Sequence, residues 1–159
     1  MSKKNKTATT DNNNRTIASN KRARHEYAIG ETFECGIILT GGEIKSVRSG
    51  NVSLKEAYAS VSGDELWLYK LHIAEYNFAH SMPVEVTRKR KLLAHLREIR
   101  KMGHASREKS VTLVPLELYL KNGWAKVLIG IATGKKLHDK RRDIAERDSK
   151  RQIARAMRQ

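Results

Sequence analysis

The stretch "SVTLVPLELYLKNGWAKVLIGIA", residues 110–132, decides the fold. Two runs rich in β-branched and aliphatic residues flank Asn122-Gly123, the dipeptide that most strongly favours a tight hairpin. The reading is two antiparallel strands, 110–120 and 124–132. Pro115 interrupts the first run and Gly130 the second. Proline cannot donate to a ladder, and an interior glycine marks a bulge or a sharp corner, so both sit where a small closed sheet must bend.

Outward from this hairpin the pattern repeats. "TFECGIILT" (32–40) places Phe33, Cys35, Ile37 and Leu39 on one face, with Ile38 opposite, and stops at Gly41-Gly42. "EAYASV" (56–61) and "ELWLYKLHI" (65–73) flank Ser62-Gly63-Asp64 as a second hairpin. Gly36, like Gly130, falls within a strand pattern. Between the hairpins, "TRKRKLLAHLREIRKMG" (87–103) has Leu92, Leu93, Leu96, Ile99 and Met102 at helical spacing, with Gly103 as a stop, and predicts one amphipathic helix. A shorter helix is expected at "NVSLKEAY", capped by Ser53 with Glu56 three residues on. The fold class is therefore all-β with added helices: an OB-type small antiparallel barrel, one main inserted helix and a basic C-terminal tail.

The chain has 159 residues, 39% hydrophobic and 31% charged, enough for one core. Net charge is +15 and its distribution is uneven. Residues 1–25 carry +6 and residues 134–159 carry +6, while the intervening 26–133 carry only +3. A nearly balanced globular middle between two basic arms suits a polyanion gripped on more than one side. Residues 1–16 lack apolar periodicity and are expected to be disordered, with the barrel over 17–133 and the tail over 134–159. The longest apolar run is too short to span a bilayer and no secretory pattern opens the chain. Cys35, the single cysteine, agrees with a cytoplasmic location.

The residue types argue against catalysis. The histidines at 25, 72, 80, 95, 104 and 138 form no metal-ligand spacing, "TGGE" lacks the Lys-Ser/Thr of a P-loop, and Cys35 falls in a strand as a core residue. Glu34, Glu43 and Glu56 are candidate carboxylates for RNA cleavage by type alone, although such groups more often accept hydrogen bonds from bases or pair with Lys and Arg. No catalytic residue, metal, cofactor or small-molecule substrate is expected. The basic clusters carry more meaning. "NKRARHEY" (20–27) supplies Lys21, Arg22, Arg24 and His25, and "RKRK" (88–91) places positive charge at the start of the expected helix, against its dipole, which points to an external anion. "GGEIKSVRSGN" (41–51) reads as a loop with Lys45 and Arg48 close to a phosphate backbone.

Together "NKRARHEYAIGETFECGIILTGGEIKSVRSGN", "TRKRKLLAH", "LVPLELYLKNGWAKVLIGIATGKKLHDKR" and the basic C-terminus closely resemble the SmpB family of bacterial SsrA-binding proteins, from about Ile17 to Met157. The resemblance implies an OB-fold that binds the tRNA-like domain of transfer-messenger RNA and carries it to stalled ribosomes, where incomplete products are tagged. It implies RNA-binding roles for Asn20, Glu34 and Leu93. To these, charge and placement add Lys21, Arg22, Arg24, Lys45, Arg48, Arg88, Arg90 and Lys91. In the tail the resemblance marks Asp139, Lys140 and Arg141, with Lys135, Lys136 and His138 beside them and Ile153 and Met157 further along, as the ribosome-engaging set. Cys35, Gly42 and Ser149 depart from the family's usual residues, which weakens only local inferences. A generic ribosomal or RNA-chaperone OB protein would fit the same basic arms.

Residues 135–159 contain neither glycine nor proline. Asp143–Arg147 and Glu146–Lys150 are favourable i,i+4 pairs worth about 0.2–0.5 kcal/mol each, offset by Arg147–Arg151 and Arg151–Arg155. With so little apolar surface beyond Leu137, Ile144, Ile153 and Met157, the free segment should be disordered and become helical against phosphate.

Overall fold

Asn122 and Gly123 adopt φ values of 51° and 80°, the paired left-handed conformation of a two-residue hairpin turn. In the computed structural model, which describes residues 12–76, 84–135 and 137–158, this turn joins the two longest strands. In chain order the elements are β1 (Arg15–Ser19), α1 (Lys21–Glu26), β2 (Tyr27–Ile37), α2 (Gly41–Arg48), β3 (Val52–Ser53), β4 (Tyr58–Ser62), β5 (Glu65–Tyr69), β6 (His72–Ile73), β7 (Arg90–Leu93), α3 (Leu96–Ala105), β8 (Val111–Lys121), β9 (Trp124–Gly134) and α4 (Leu137–Met157).

Seven strands form an antiparallel sheet in the order β1-β8-β4-β5-β7-β2-β9, and β9 returns to pair with β8, so the sheet closes on itself. β3 and β6 form a separate two-stranded ribbon. Eleven-residue β8 shares one edge between two partners, β4 at Ala59–Leu113 and β1 along Glu117–Leu120. Residues 1–11 of the expected N-terminal segment lie outside the described residues, but the strand preceding α1 starts at Arg15 and was not anticipated.

The irregularity at Pro115 organises the core. The β8–β9 register shifts between Pro115 and Glu117, which moves the in–out alternation by one residue. Val114 before it and Leu116, the extra residue of the bulge, pack outward with Ala23 and Ala132 in a small cluster beneath α1. After it, Leu118 and Leu120 turn into the main core with Phe33, Cys35, Leu66, Leu92, Val127 and Ile129. A Cβ on Gly130 would meet Leu116 Cδ1 at 2.9 Å and Ile29 Cγ2 at 3.0 Å, so the outer cluster requires glycine there.

Four local expectations are corrected. The single helix over 87–103 is instead strand β7 followed by α3. Leu92 is buried while Leu93 is exposed, a two-residue period, because Leu92 pairs with Leu66 on one side and Ile37 on the other. Filling the gap between β5 and β2 supplies ladder bonds that a helix there would leave unmade. Gly103 does not end α3 but lies within it, facing Val61. Residues 41–48, read as loop, form α2 with a reciprocal capping box between Thr40 and Glu43. The similar Ser53–Glu56 pattern caps nothing; residues 52–53 pair with β6, and β4 starts at Tyr58.

Candidate RNA interface

Outward positions on β2, β9 and β8 converge on one surface. Glu34 and Glu117 both lie opposite Leu128, one on each side of β9, and Tyr119 lies opposite Lys126. The Tyr119 hydroxyl donates to Glu34, and Lys121 Nζ approaches both carboxylate oxygens at 3.2 and 3.4 Å. The Tyr119 hydrogen bond, aided by Lys121 and Lys126, holds the Glu34 carboxyl below its ordinary range despite some desolvation. Burial, with the hydrogen bond to Glu34, pushes the Tyr119 hydroxyl up. Glu34 is thus ionised at neutral pH and fixed in orientation. Leu93 joins this surface: it pairs with Gly36, two residues beyond Glu34 on the same face, and is 52% exposed.

Helix α1 borders the surface. Asn20 caps it, its Oδ1 accepting from the Ala23 N–H at 3.1 Å while its amide donates to the carbonyls of Pro115 (3.1 Å) and Leu54 (3.3 Å). Asn20 is buried with these bonds spent internally, so its influence on any ligand runs through the placement of α1. Arg24 reaches Glu117 at 3.5 Å, and Arg22 contacts Glu26 at 3.0 Å and Glu56 at 3.5 Å. The Glu26 bond raises the already high Arg22 and lowers Glu26. Lys21 is exposed and has no ion pair among the described residues.

The "RKRK" cluster divides. Arg90 is fully buried, its guanidinium donating to Glu43 at 2.6 Å and to the carbonyls of Leu71 (2.6 Å), Val86 (3.0 Å) and Arg88 (3.2 Å). It offers nothing to an external phosphate, which corrects its expected surface role. The cause is strand geometry: in β7, Arg90 and Leu92 face inward while Lys91 and Leu93 face out. Arg88, half-buried, also pairs with Glu43. Burial would raise the Glu43 carboxyl, but hydrogen bonds from Arg88, the Thr40 backbone and Arg90 outweigh it and hold it low. Burial lowers Arg90, with Glu43 opposing. Glu43 is therefore a structural anion and not a free carboxylate. Lys91 remains accessible, bound to Glu65 at 3.2 Å, and on α2 Lys45 stands 5.5 Å from the Tyr76 ring while Arg48 is exposed.

The SmpB protein family model matches residues 17–159. The chain belongs to the SmpB family. The SsrA-binding protein of Levilactobacillus brevis is 50% identical over 157 residues, covering 99% of this chain and 98% of that protein. That of Bacillus cereus is 49% identical over 144 residues, 91% of this chain and 93% of its own length. A solved SmpB structure, described as "tmRNA-SmpB: a journey to the center of the bacterial ribosome", superposes with a TM-score of 0.65 at 45% identity, covering 76% of this chain and 85% of that one.

Within this SmpB-family fold, the basic tail is helix α4. Its start is tied to α1: the Lys135 N–H donates to the Glu26 carbonyl at 2.9 Å, Lys135 Nζ donates to the Arg24 carbonyl at 3.1 Å and pairs with Asp143, and Arg147 meets the His25 ring at 3.1 Å. Asp143 and Glu146 thus pair with Lys135 and Arg142, and not with the expected Arg147 and Lys150. Arg141, Ile153 and Met157 are exposed and Lys140 is partly so. His138 and Asp139 lie on the first turn of α4, and Lys136 lies outside the described residues. Among the described residues no cluster of His, Cys, Asp and Glu could hold a metal ion, and no helix is long and apolar enough to cross a membrane.

Sequence reading missed Tyr119, Lys121, Lys126 and Glu117. Their alternation in "LELYLK" and "WAKVL" was legible, but for the first which parity faced outward depended on the bulge after Pro115.

Proposed function

We propose that this chain binds the tRNA-like domain of SsrA RNA, or transfer-messenger RNA, and delivers it to stalled ribosomes for trans-translation, acting by recognition and not by catalysis. One observation carries the physical reading: an ionised, immobilised carboxylate, Glu34, stands among cations on the outer face of a chain of net charge +15. Glu117 on the same surface is paired with Arg24, and an acid repels a polyanion, so a fixed Glu34 carboxylate there makes sense where it accepts a base N–H or a ribose hydroxyl, while Arg24, Lys121 and Lys126 meet phosphates. The closed antiparallel sheet fits an OB-type barrel, and binding to RNA on the ribosome sets a cytoplasmic location. The tail is a separate device. With so little apolar area to bury, α4 exchanges readily with disorder in the free protein and is stabilised when phosphates neutralise its arginines.

A paired assay tests this, comparing full-length protein with a variant lacking residues 136–159. Affinity for the tRNA-like RNA at fixed salt should be nearly unchanged by the deletion, and tag addition on stalled ribosomes should be abolished. Loss of both would make the tail part of the RNA grip. Equal affinity for unrelated duplex RNAs would favour a generic RNA-chaperone role.

A further inference from the structure

At the end of the closed sheet, where α2 meets the β8–β9 turn, a groove of about 530 Å³ opens. Its size falls within the range of about 300–1,000 Å³ typical of small-ligand sites. Ile37, Leu39, Ile44 and Ala125 line it, the Trp124 indole stands beside them, and Arg48 is at its lip. Trp124 is 74% exposed, far more than any other aromatic side chain among the described residues. Turn formation does not explain it, because the left-handed conformations belong to Asn122 and Gly123. Nor does hydrogen bonding. The Trp67 indole N–H reaches Glu65 at 3.2 Å, whereas that of Trp124 reaches no protein acceptor among the described residues.

The charges at the groove are of one sign. No carboxylate lines it, and Arg48 forms no ion pair among the described residues. Arg15, whose guanidinium donates to the Arg48 carbonyl, places a second positive charge beside it. A flat aromatic face with an unspent donor, an apolar floor and a guanidinium together match the two parts of a nucleotide, a base to stack and a phosphate to pair. A second copy of this basic chain would bring arginine against arginine.

We propose that this groove is a slot for one unpaired RNA base, stacked on Trp124 with its adjoining phosphate on Arg48. The inference rests on the RNA-binding reading above and adds to the Glu34 face a contact that selects an unstacked nucleotide.

Trp124 supplies its own reporter, since the chain has only two tryptophans. In full-length Trp67→Phe protein, single-stranded hexaadenylate should quench the remaining indole saturably, and a blunt RNA duplex should not. Trp124→Leu should weaken hexaadenylate binding about ten- to a hundredfold, the range that base–aromatic stacking supports, and Trp124→Phe should recover part of the loss. Arg48→Gln should lower the salt dependence by about one phosphate contact. Circular dichroism checks that each variant is folded. Undisturbed Trp124 emission on saturation with the tRNA-like RNA, with unchanged affinity in Trp124→Leu, overturns the slot and leaves the RNA-binding function standing. Failure of every RNA to bind overturns both. Quenching that grows with protein concentration without RNA shows that a second copy covers the groove, and also overturns the slot.

Discussion

The Tyr119 hydroxyl and the Glu34 carboxylate are hydrogen-bonded across an intervening strand, with Tyr119 on β8, Glu34 on β2 and β9 running between them. Three strands must be paired in register before this contact exists, so the RNA-facing acid is oriented by the closure of the sheet itself. Tyr119→Phe should therefore reduce affinity for the tRNA-like RNA while leaving thermal stability within about 1 kcal/mol of wild type, the usual value of one hydrogen bond. Glu34→Gln should reduce affinity further. Binding titrations beside thermal melts would show it; equal affinity in all three proteins would remove Glu34 from the interface.

The same contact has a pH signature. Glu34 is held below its unfolded value, so its favourable interactions are complete above the ordinary glutamate range, about pH 4.3, and are lost as pH falls through the lowered value. The stability difference between wild type and Glu34→Gln should shrink on the acid side of that range and stay flat between pH 6 and 8. Urea melts across pH 3–8 measure it.

Breaking the buried pair should cost far more. Glu43→Ala strands Arg90, which is fully buried, and uncompensated buried charges of this kind cost about 3–5 kcal/mol. Urea denaturation should show that loss in Glu43→Ala and in Arg90→Ala. RNA affinity, measured on the fraction still folded, should stay near wild type for Arg90→Ala, because its guanidinium faces inward.

Asn20→Ala should cost about 1–2 kcal/mol through loss of the α1 cap and two further hydrogen bonds. Its effect on RNA binding should appear together with faster amide exchange in Lys21–Glu26. Weakened binding with α1 protection unchanged would instead mean that Asn20 itself reaches the RNA.

Cys35 is buried in β2, and desolvation, reinforced by Glu98 and Glu34, pushes its thiol up to about 12. Native protein at pH 8 should react with a disulfide reagent only as fast as it unfolds, and stoichiometrically in denaturant.

The local grammar of the chain was enough for its hairpins and its charge layout. Asn122-Gly123 and Gly63-Asp64 turn where they stand because their backbone preferences are intrinsic, and the basic arms are basic in any conformation. What the tertiary structure decided was parity and partnership. "RKLL" has helical spacing in isolation, yet it is a strand because β5 and β2 leave ladder bonds that only a strand can make, and that choice turns Arg90 inward and Leu93 outward. "TGGE" and "SLKE" carry similar cap patterns, and only the first became a helix, with Val47 buried in the core. One extra residue, Leu116 just after Pro115, set which side chains of "LELYLK" face out, and so made Tyr119 the partner of Glu34. Turn chemistry acts over two or three residues and is readable in them; the side on which a strand residue emerges depends on a register fixed by distant strands.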